Sequence, residues 1–354
     1  MGDTYARLPS VEETLSHPAY PTTVWNLEPD RKGVASVAET RGGPFRVTWE
    51  IHGTGPSKIL FVMGVGGTRR TWQQQTKHFG HDHGEEYSVL VLDNRGQGES
   101  DKPFGRYTTS ELALDLIDVL DQVGWTDDRS VHLVGISLGG MIAQEIAHAA
   151  PHRLRSLSLI CTTSAMQRSK SFMEELAQRS GVLFPKSEYR SAIDTARQIF
   201  NEEWLLAPDE SLPPVLGTTP KCAPPRNGGT EYLRFDNNFQ RFLAGELTKR
   251  RDPGFYSKMG IISQLMAAGG HYKSPEQLKA IADVVGRESI MVLHGTGDNM
   301  IGVENGKTIM KIMEPGTAMV VENMSHTPVL DRPHWFNNLL QEKLTKWDSL
   351  EGGK

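Results

Sequence analysis

The run at 131–150 reads VHLVGISLGGMIAQEIAHAA, and no other stretch restricts the fold as strongly. Val131, Leu133, Val134 and Ile136 form a short apolar run that predicts a buried strand. Met141, Ile142, Ile146 and Ala149 recur at helical intervals and predict an amphipathic helix directly after it. The two meet at Gly135-Ile136-Ser137-Leu138-Gly139, a G-x-S-x-G. A chain that passes from strand to helix in one tight turn holds the central residue in a strained, outward-facing conformation. Side chains two positions to either side would clash, so glycine is expected at both. The Ser137 hydroxyl is then lifted clear of the sheet. The Leu138 amide lies at a helix N-terminus, where an anion is stabilised. The same pattern occurs in turns that only pack a helix on a sheet, but the flanking strand and helix favour a nucleophilic serine.

Around this run the chain alternates strands and helices. Strands are expected at 45–51, 58–63, 88–92, 155–161, 289–293 and 318–321, and helices at 109–123, 303–313 and 334–347. Short apolar strands separated by helices are the mark of a mostly parallel sheet covered on both faces. Between 164 and 274 strand-like runs vanish. Helices are expected there at 172–179, 191–200, 231–247 and 253–268, with a proline-rich connection over 207–228. So long a loop inside a compact protein usually covers or binds something. Residues 1–40 are polar, carry four prolines and are expected to be an irregular extension. The expected division is therefore 1–40 extension, 41–163 and 275–350 core, and 164–274 helical cap.

The 354 residues are 38% hydrophobic and 23% charged, with a formal net charge of −5. That composition suits a globular protein and gives no basic stripe for nucleic acid. The densest basic cluster, Lys249, Arg250 and Arg251, is expected to be a solvated helix end. Cys161 and Cys222 are too few for a disulfide framework, which suits a reducing compartment. The opening MGDTYARLPSVEETL lacks the apolar core of a signal peptide, and Ala6 stands where a myristoylation motif wants Ser or Thr. No apolar run approaches ~18 residues. The expectation is a cytoplasmic protein with no membrane span and no nucleic-acid partner; a homodimer is left open.

A serine hydroxyl needs a base, and the base needs a third group to fix its tautomer. In α/β sheets such groups gather at the carboxyl ends of strands. After 289–293 comes His294-Gly295-Thr296-Gly297-Asp298, and after 318–321 comes Glu322-Asn323-Met324-Ser325-His326. Asp298 and His326 are the expected acid and base. The turn Thr162-Thr163-Ser164-Ala165 holds no carboxylate, and Glu304, the competing acid, falls on the following helix. Among the other histidines, His132 and His148 are explained by packing or solvent, and His294 by holding a turn. His78, His81 and His83 lie in a polar loop that lacks fixed metal geometry. Two amide donors must meet a developing oxyanion. Leu138 is one, and Val65 in Met63-Gly64-Val65-Gly66-Gly67 is the other.

Together these residues resemble the α/β-hydrolase superfamily over about 45–163 and 275–347. Asp93-Asn94-Arg95-Gly96-Gln97-Gly98-Glu99-Ser100 resembles its D-x-R-G-x-G-x-S signature, and Gly64-Val65-Gly66 its oxyanion loop. Met63 stands where many members have histidine. Met-Gly with Asp-Asn-Arg-Gly is similar to a subgroup of esterases that includes aclacinomycin methylesterase-like enzymes. The resemblance implies the α/β-hydrolase fold, a mostly parallel twisted sheet flanked by helices with an inserted helical cap. It also implies Ser137, Asp298 and His326 as a triad. A serine forms an acyl ester, so the expected reaction is hydrolysis of a carboxylic ester or lactone of a small to medium apolar molecule, without cofactor or metal. C–C bond hydrolysis, acyl transfer, or ligand binding with little turnover are the alternatives. Phe172, Met173, Trp204, Phe239, Phe242, Tyr256, Met259 and Met266 are candidate pocket residues of the cap.

Overall fold

The computed structural model describes residues 8–166 and 187–350. Eight strands form one sheet in the order β1-β2-β4-β3-β5-β6-β7-β8. They are β1 Arg31–Val37, β2 Phe45–His52, β3 Ser57–Val62, β4 Tyr87–Leu92, β5 Val131–Ile136, β6 Leu154–Ile160, β7 Ile290–Gly295 and β8 Thr317–Val321. From β4 to β8 every pairing is parallel, while β1 and β2 join antiparallel at one edge.

The parallel strands are buried on both faces, so their period of two splits the core in two. Leu60, Val62, Leu133 and Leu157 face one apolar layer, closed by helices α2 Thr109–Val123 and α3 Leu138–Ala149. Ile59, Phe61, Val134 and Ile136 face the other, where Trp72, Phe79, Phe336 and Trp347 pack. This double burial explains why these strands read as continuous apolar runs rather than alternating ones.

The stretch 1–40 differs from expectation. Arg31–Val37 is the edge strand β1, paired in register with β2 from Arg31↔Ile51 to Val37↔Phe45. An edge strand buries only one side, so its polar sequence hides the strand. Gly33 lets the backbone pass over Trp49, whose ring would meet a Cβ there at 2.8 Å. Upstream, helix α1 Val11–Ser16 opens with a Ser10–Glu13 capping box. Its Val11 and Leu15 pack against Phe239, Leu243 and their neighbours in the helical insertion.

That insertion lies between β6 and β7. Its described helices are α4 Glu188–Ile199, α5 Glu202–Leu206, α6 Asn238–Arg251 and α7 Lys258–Gly270. The helix expected at 172–179 lies outside the described residues. Helix α6 starts later than expected, because the Asn237 side chain accepts from the Gln240 amide and caps it. The preceding residues instead turn around Asp209, whose carboxylate accepts from the Ser211 and Phe235 amides. The proline-rich connection is pinned to the N-terminal segment by the Leu27↔Cys222 bridge and the Glu28 N–H to Lys221 O bond at 2.8 Å. Helix α8 Pro275–Val285 goes beyond the expected elements; Ser274 and Gln277 form a capping box and Pro275 is the first helical residue, a start signal legible in the sequence. Helices α9 Val303–Met313, α10 Pro328–Asp331 and α11 Pro333–Ser349 complete the described chain.

The two stems of the insertion meet at an Ala165↔Tyr272 bridge and a Lys273 N–H to Ser164 O bond of 2.7 Å. Beneath them Lys273 pairs with Glu145 of α3, and His271 Nδ1 lies 3.0 Å from Thr109 Oγ1. Burial would raise the Glu145 carboxyl, but His271 and Lys273 outweigh it and hold the pKa at about 2. Glu50, beside His52 and Arg69, and Asp348, beside His132, are held against burial at about 2 in the same way. An unfolded chain takes up these protons below about pH 4.5, whereas the folded one resists until about pH 2. Stability therefore rises with pH across that window and is lost on acidification through it. Thermal melts should show a plateau above about pH 5 and a falling midpoint below about pH 4.5, with a shallower fall in Glu145→Gln. A midpoint that is level down to about pH 3 would contradict the assignment.

Candidate active site

Ser137 sits between β5 and α3 with φ 57° and ψ −124°, in the strained region expected of a residue held for function. Its backbone is locked there. The Ser137 amide donates to Ile160 O at 3.0 Å, and its carbonyl accepts from Thr162 Oγ1 at 2.8 Å. The two flanking glycines are required by contact. A Cβ on Gly139 would strike the Val62 carbonyl, and one on Gly135 would strike the Gly139 carbonyl.

Asp298 and His326 are brought together across the carboxyl ends of β7 and β8. His326 Nδ1 lies 2.8 Å from Asp298 Oδ2, and both side chains are buried. An ionised carboxylate only accepts, so Nδ1 carries the proton, and in the neutral ring the lone pair is then on Nε2. Asp298 Oδ1 accepts from the Met300 and Ile301 amides at 2.9 Å each. Burial pushes the Asp298 carboxyl upward, but the adjoining His326 ring and hydrogen bonds from His294, His326 and Ile301 hold it well below the usual carboxylate range. His294 holds the turn as expected, with Nε2 2.7 Å from Ile301 O, and it also lies 3.2 Å from Asp298 Oδ2.

Ser137 and His326 line the same cavity of about 280 Å³, enclosed between the sheet and the helical insertion. Val65 and Leu138 line it as well. The glycine loop is close to the serine: a Cβ on Gly64 would lie 3.0 Å from Ser137 Cβ and 3.4 Å from its Oγ. Leu138 is the first residue of α3, so its amide has no intrahelical acceptor. Two contacts fix the glycine loop. Asn94 Nδ2 donates to Met63 O at 3.0 Å, and Gln264 of α7 accepts from the Gly66 amide at 2.9 Å. The insertion also reaches the base, since the His326 amide donates to Ile199 O at the end of α4 at 3.2 Å.

The other sequence candidates separate clearly. Phe242 and Tyr256 line the cavity. Phe239 is instead in the core of the insertion, Trp204 stacks on Phe200, and Met259 and Met266 are exposed. Phe172 and Met173 lie outside the described residues. Glu304 pairs with Lys307 on the surface of α9. His81 hydrogen-bonds His52 and Pro220, His78 bonds Gln341 and His83 pairs with Glu86, so the three do not converge. Among the described residues, Cys161, His294 and Asp298 alone bring three metal-type ligand atoms within 4.8 Å of one another, and Asp298 there is already engaged by His326.

Two features were not expected. Lys249 and Arg250 are not a solvated helix end; with Glu246 they line the Ser137 cavity. Their spacing, Glu246 with Lys249 and Arg250, is the i,i+3/i,i+4 pattern of a surface helix, so nothing local distinguished a cavity wall from solvent. Gln264 carried no signal at all, because its role depends on where α7 crosses the glycine loop.

A doubly wound sheet with these groups at its carboxyl edge defines the α/β hydrolase class. The chain belongs to the alpha/beta hydrolase family, whose model matches residues 51–339. A stretch of 119 residues is 36% identical to the putative carbamate hydrolase RutD of Azorhizobium caulinodans, covering 34% of this chain and 42% of that protein. Another of 122 residues is 34% identical to the dihydrolipoyllysine-residue acetyltransferase component of the acetoin cleaving system of Pseudomonas putida, covering 34% of this chain and 31% of that protein. The matched part thus spans less than half of either curated relative. Similar solved structures include a thermophilic esterase from Thermogutta terrifontis, with TM-score 0.66, 20% identity and 90% and 99% of the two chains covered. An enol-lactonase from Burkholderia xenovorans has TM-score 0.63, 18% identity and 88% and 100% covered. At these identities the likeness is one of fold. No helix among the described residues is long and apolar enough to cross a membrane.

Proposed function

We propose that the protein is a serine hydrolase that cleaves a carboxylic ester or lactone through an acyl-enzyme. Ser137 attacks the carbonyl carbon, and His326 Nε2 takes the hydroxyl proton as the bond forms. Asp298 keeps His326 in the tautomer that can accept it. The Val65 and Leu138 amides receive the developing oxyanion. His326 then returns the proton to the leaving alcohol. Water, activated by the same imidazole, releases the acid. The helical insertion serves as a cap, and the apolar part of the cavity wall (Met141 from α3, with Phe242, Ile261 and Leu265 from the insertion) takes the body of the substrate. A small-molecule substrate fits the cavity's size. The observation that carries this reading is the buried His326–Asp298 bond opening onto the same cavity as a serine held in a strained turn.

A fluorophosphonate probe should label Ser137 covalently, and a panel of p-nitrophenyl esters and lactones should give burst kinetics as the acyl-enzyme accumulates. Absence of labelling, together with no turnover across the panel, would reduce the cavity to a binding site.

A further inference from the structure

The C-terminal end of α6 carries three charged groups into the cavity wall. The side chains of Glu246, Lys249 and Arg250 keep only 14%, 17% and 13% of their exposure. Glu246 is divided between the two cations, with Oε1 accepting from Lys249 at 2.5 Å and Oε2 from Arg250 at 3.3 Å. Lys249 Nζ also donates to Gly66 O at 3.2 Å, which sets the ammonium against the glycine loop beside Val65. Arg250 donates to Ser191 Oγ at 3.0 Å, and its guanidinium lies 4.9 Å from the centroid of the Tyr256 ring. Both cations are therefore held in place by neutral acceptors and by one shared carboxylate.

The charge does not balance. Burial raises the Glu246 carboxyl, but Lys249 and Arg250 outweigh that and keep it low, so it is ionised at neutral pH. The remaining carboxylate of the wall, Asp194, is matched by Arg190 one turn back on α4 at 3.2 Å, and Lys258 at the mouth is exposed and stays in water. The surplus therefore lies within the trio on α6, where two cations share the single carboxylate of Glu246. A net positive charge withdrawn from water into an otherwise apolar cavity is costly unless an anion joins it. Such a charge also concentrates anions at the site.

We propose that Lys249 and Arg250 form an anion subsite, and that the ester or lactone cleaved at Ser137 carries a carboxylate beside an apolar chain. A carboxylate is favoured over a phosphate because one surplus positive charge matches a monoanion, whereas a phosphate monoester brings about −1.5 to −2. The inference rests on the serine-hydrolase reading for its reaction, but the binding of the anion can be measured without turnover.

Mono-p-nitrophenyl adipate should be cleaved with kcat/KM roughly tenfold or more above that of p-nitrophenyl hexanoate, the size of a partly screened charge interaction, and rising salt should shrink the ratio. Lys249→Met and Arg250→Met should each lower the ratio, whereas Glu246→Gln, which removes the competing carboxylate, should raise it. A merely structural role for the three would move all variants the same way, and that result would overturn the proposal. Calorimetry on Ser137→Ala should show monomethyl adipate binding roughly tenfold or more tighter than dimethyl adipate. Equal binding and equal turnover would remove the subsite and leave the serine reading intact. Preferential binding with no cleavage of either ester would do the reverse. If a Met variant fails to fold, Glu246→Gln and the calorimetry still decide.

Discussion

Ser137→Ala should lower ester cleavage by about four to six orders of magnitude while the protein stays folded. The fold should survive because the serine's structural bonds all come from its backbone. Its amide reaches Ile160 O, and its carbonyl accepts from Thr162 Oγ1 and from the Gly140 and Met141 amides. Alanine retains each of these at the same backbone angles. Only the oxygen is lost, and with it any covalent step. What remains is the modest rate from oriented amides and binding, typically 10³–10⁴ over water in other triad enzymes. The measurement is kcat/KM on an activated ester, with circular dichroism and a thermal melt to certify the fold. Activity within about tenfold of the parent would mean that another group is the nucleophile.

Asp298→Asn should cost about 10⁴ in kcat with little change in KM. The reason is specific to this site. Asp298 Oδ1 is committed to the Met300 and Ile301 amides, so an asparagine keeps its oxygen there and turns its NH₂ toward His326 and His294. A donor now faces His326 Nδ1, which must become the acceptor. The proton moves to Nε2, and the imidazole can no longer take one from Ser137. The same NH₂ meets His294 Nε2, which already donates to Ile301 O, so the acid loop gains a donor–donor clash. Imidazole ¹⁵N shifts should report the exchanged tautomer alongside the rate loss. A fall of less than about tenfold would remove Asp298 from the orienting role.

Local stereochemistry made most of this site legible. The passage from strand to helix around Ser137 needs glycine at 135 and 139 for reasons of contact within a few residues. Asp298 and His326 could be nominated because a parallel sheet presents its carboxyl ends on one edge, and each residue follows a recognisable strand. Helices α2 and α9 begin and end where their apolar spacing predicts. Polar segments were harder to read. β1 is an edge strand that buries one side, and α1 is a short helix whose apolar residues are satisfied only by packing on the insertion.

From the chain alone, then, follow the sheet class, the serine turn and the positions of Asp298 and His326 after their strands, because each depends on nearby backbone geometry or on strand order. The tertiary structure decided the character of the cavity. Whether Glu246, Lys249 and Arg250 meet water or a substrate depends on how α6 lies over the sheet, and whether Gln264 steadies the Gly66 amide depends on where α7 crosses it. Charges spaced along a helix have the same local energetics on either face. Only burial, which removes their water and leaves one positive charge in excess, turns them into a recognition device.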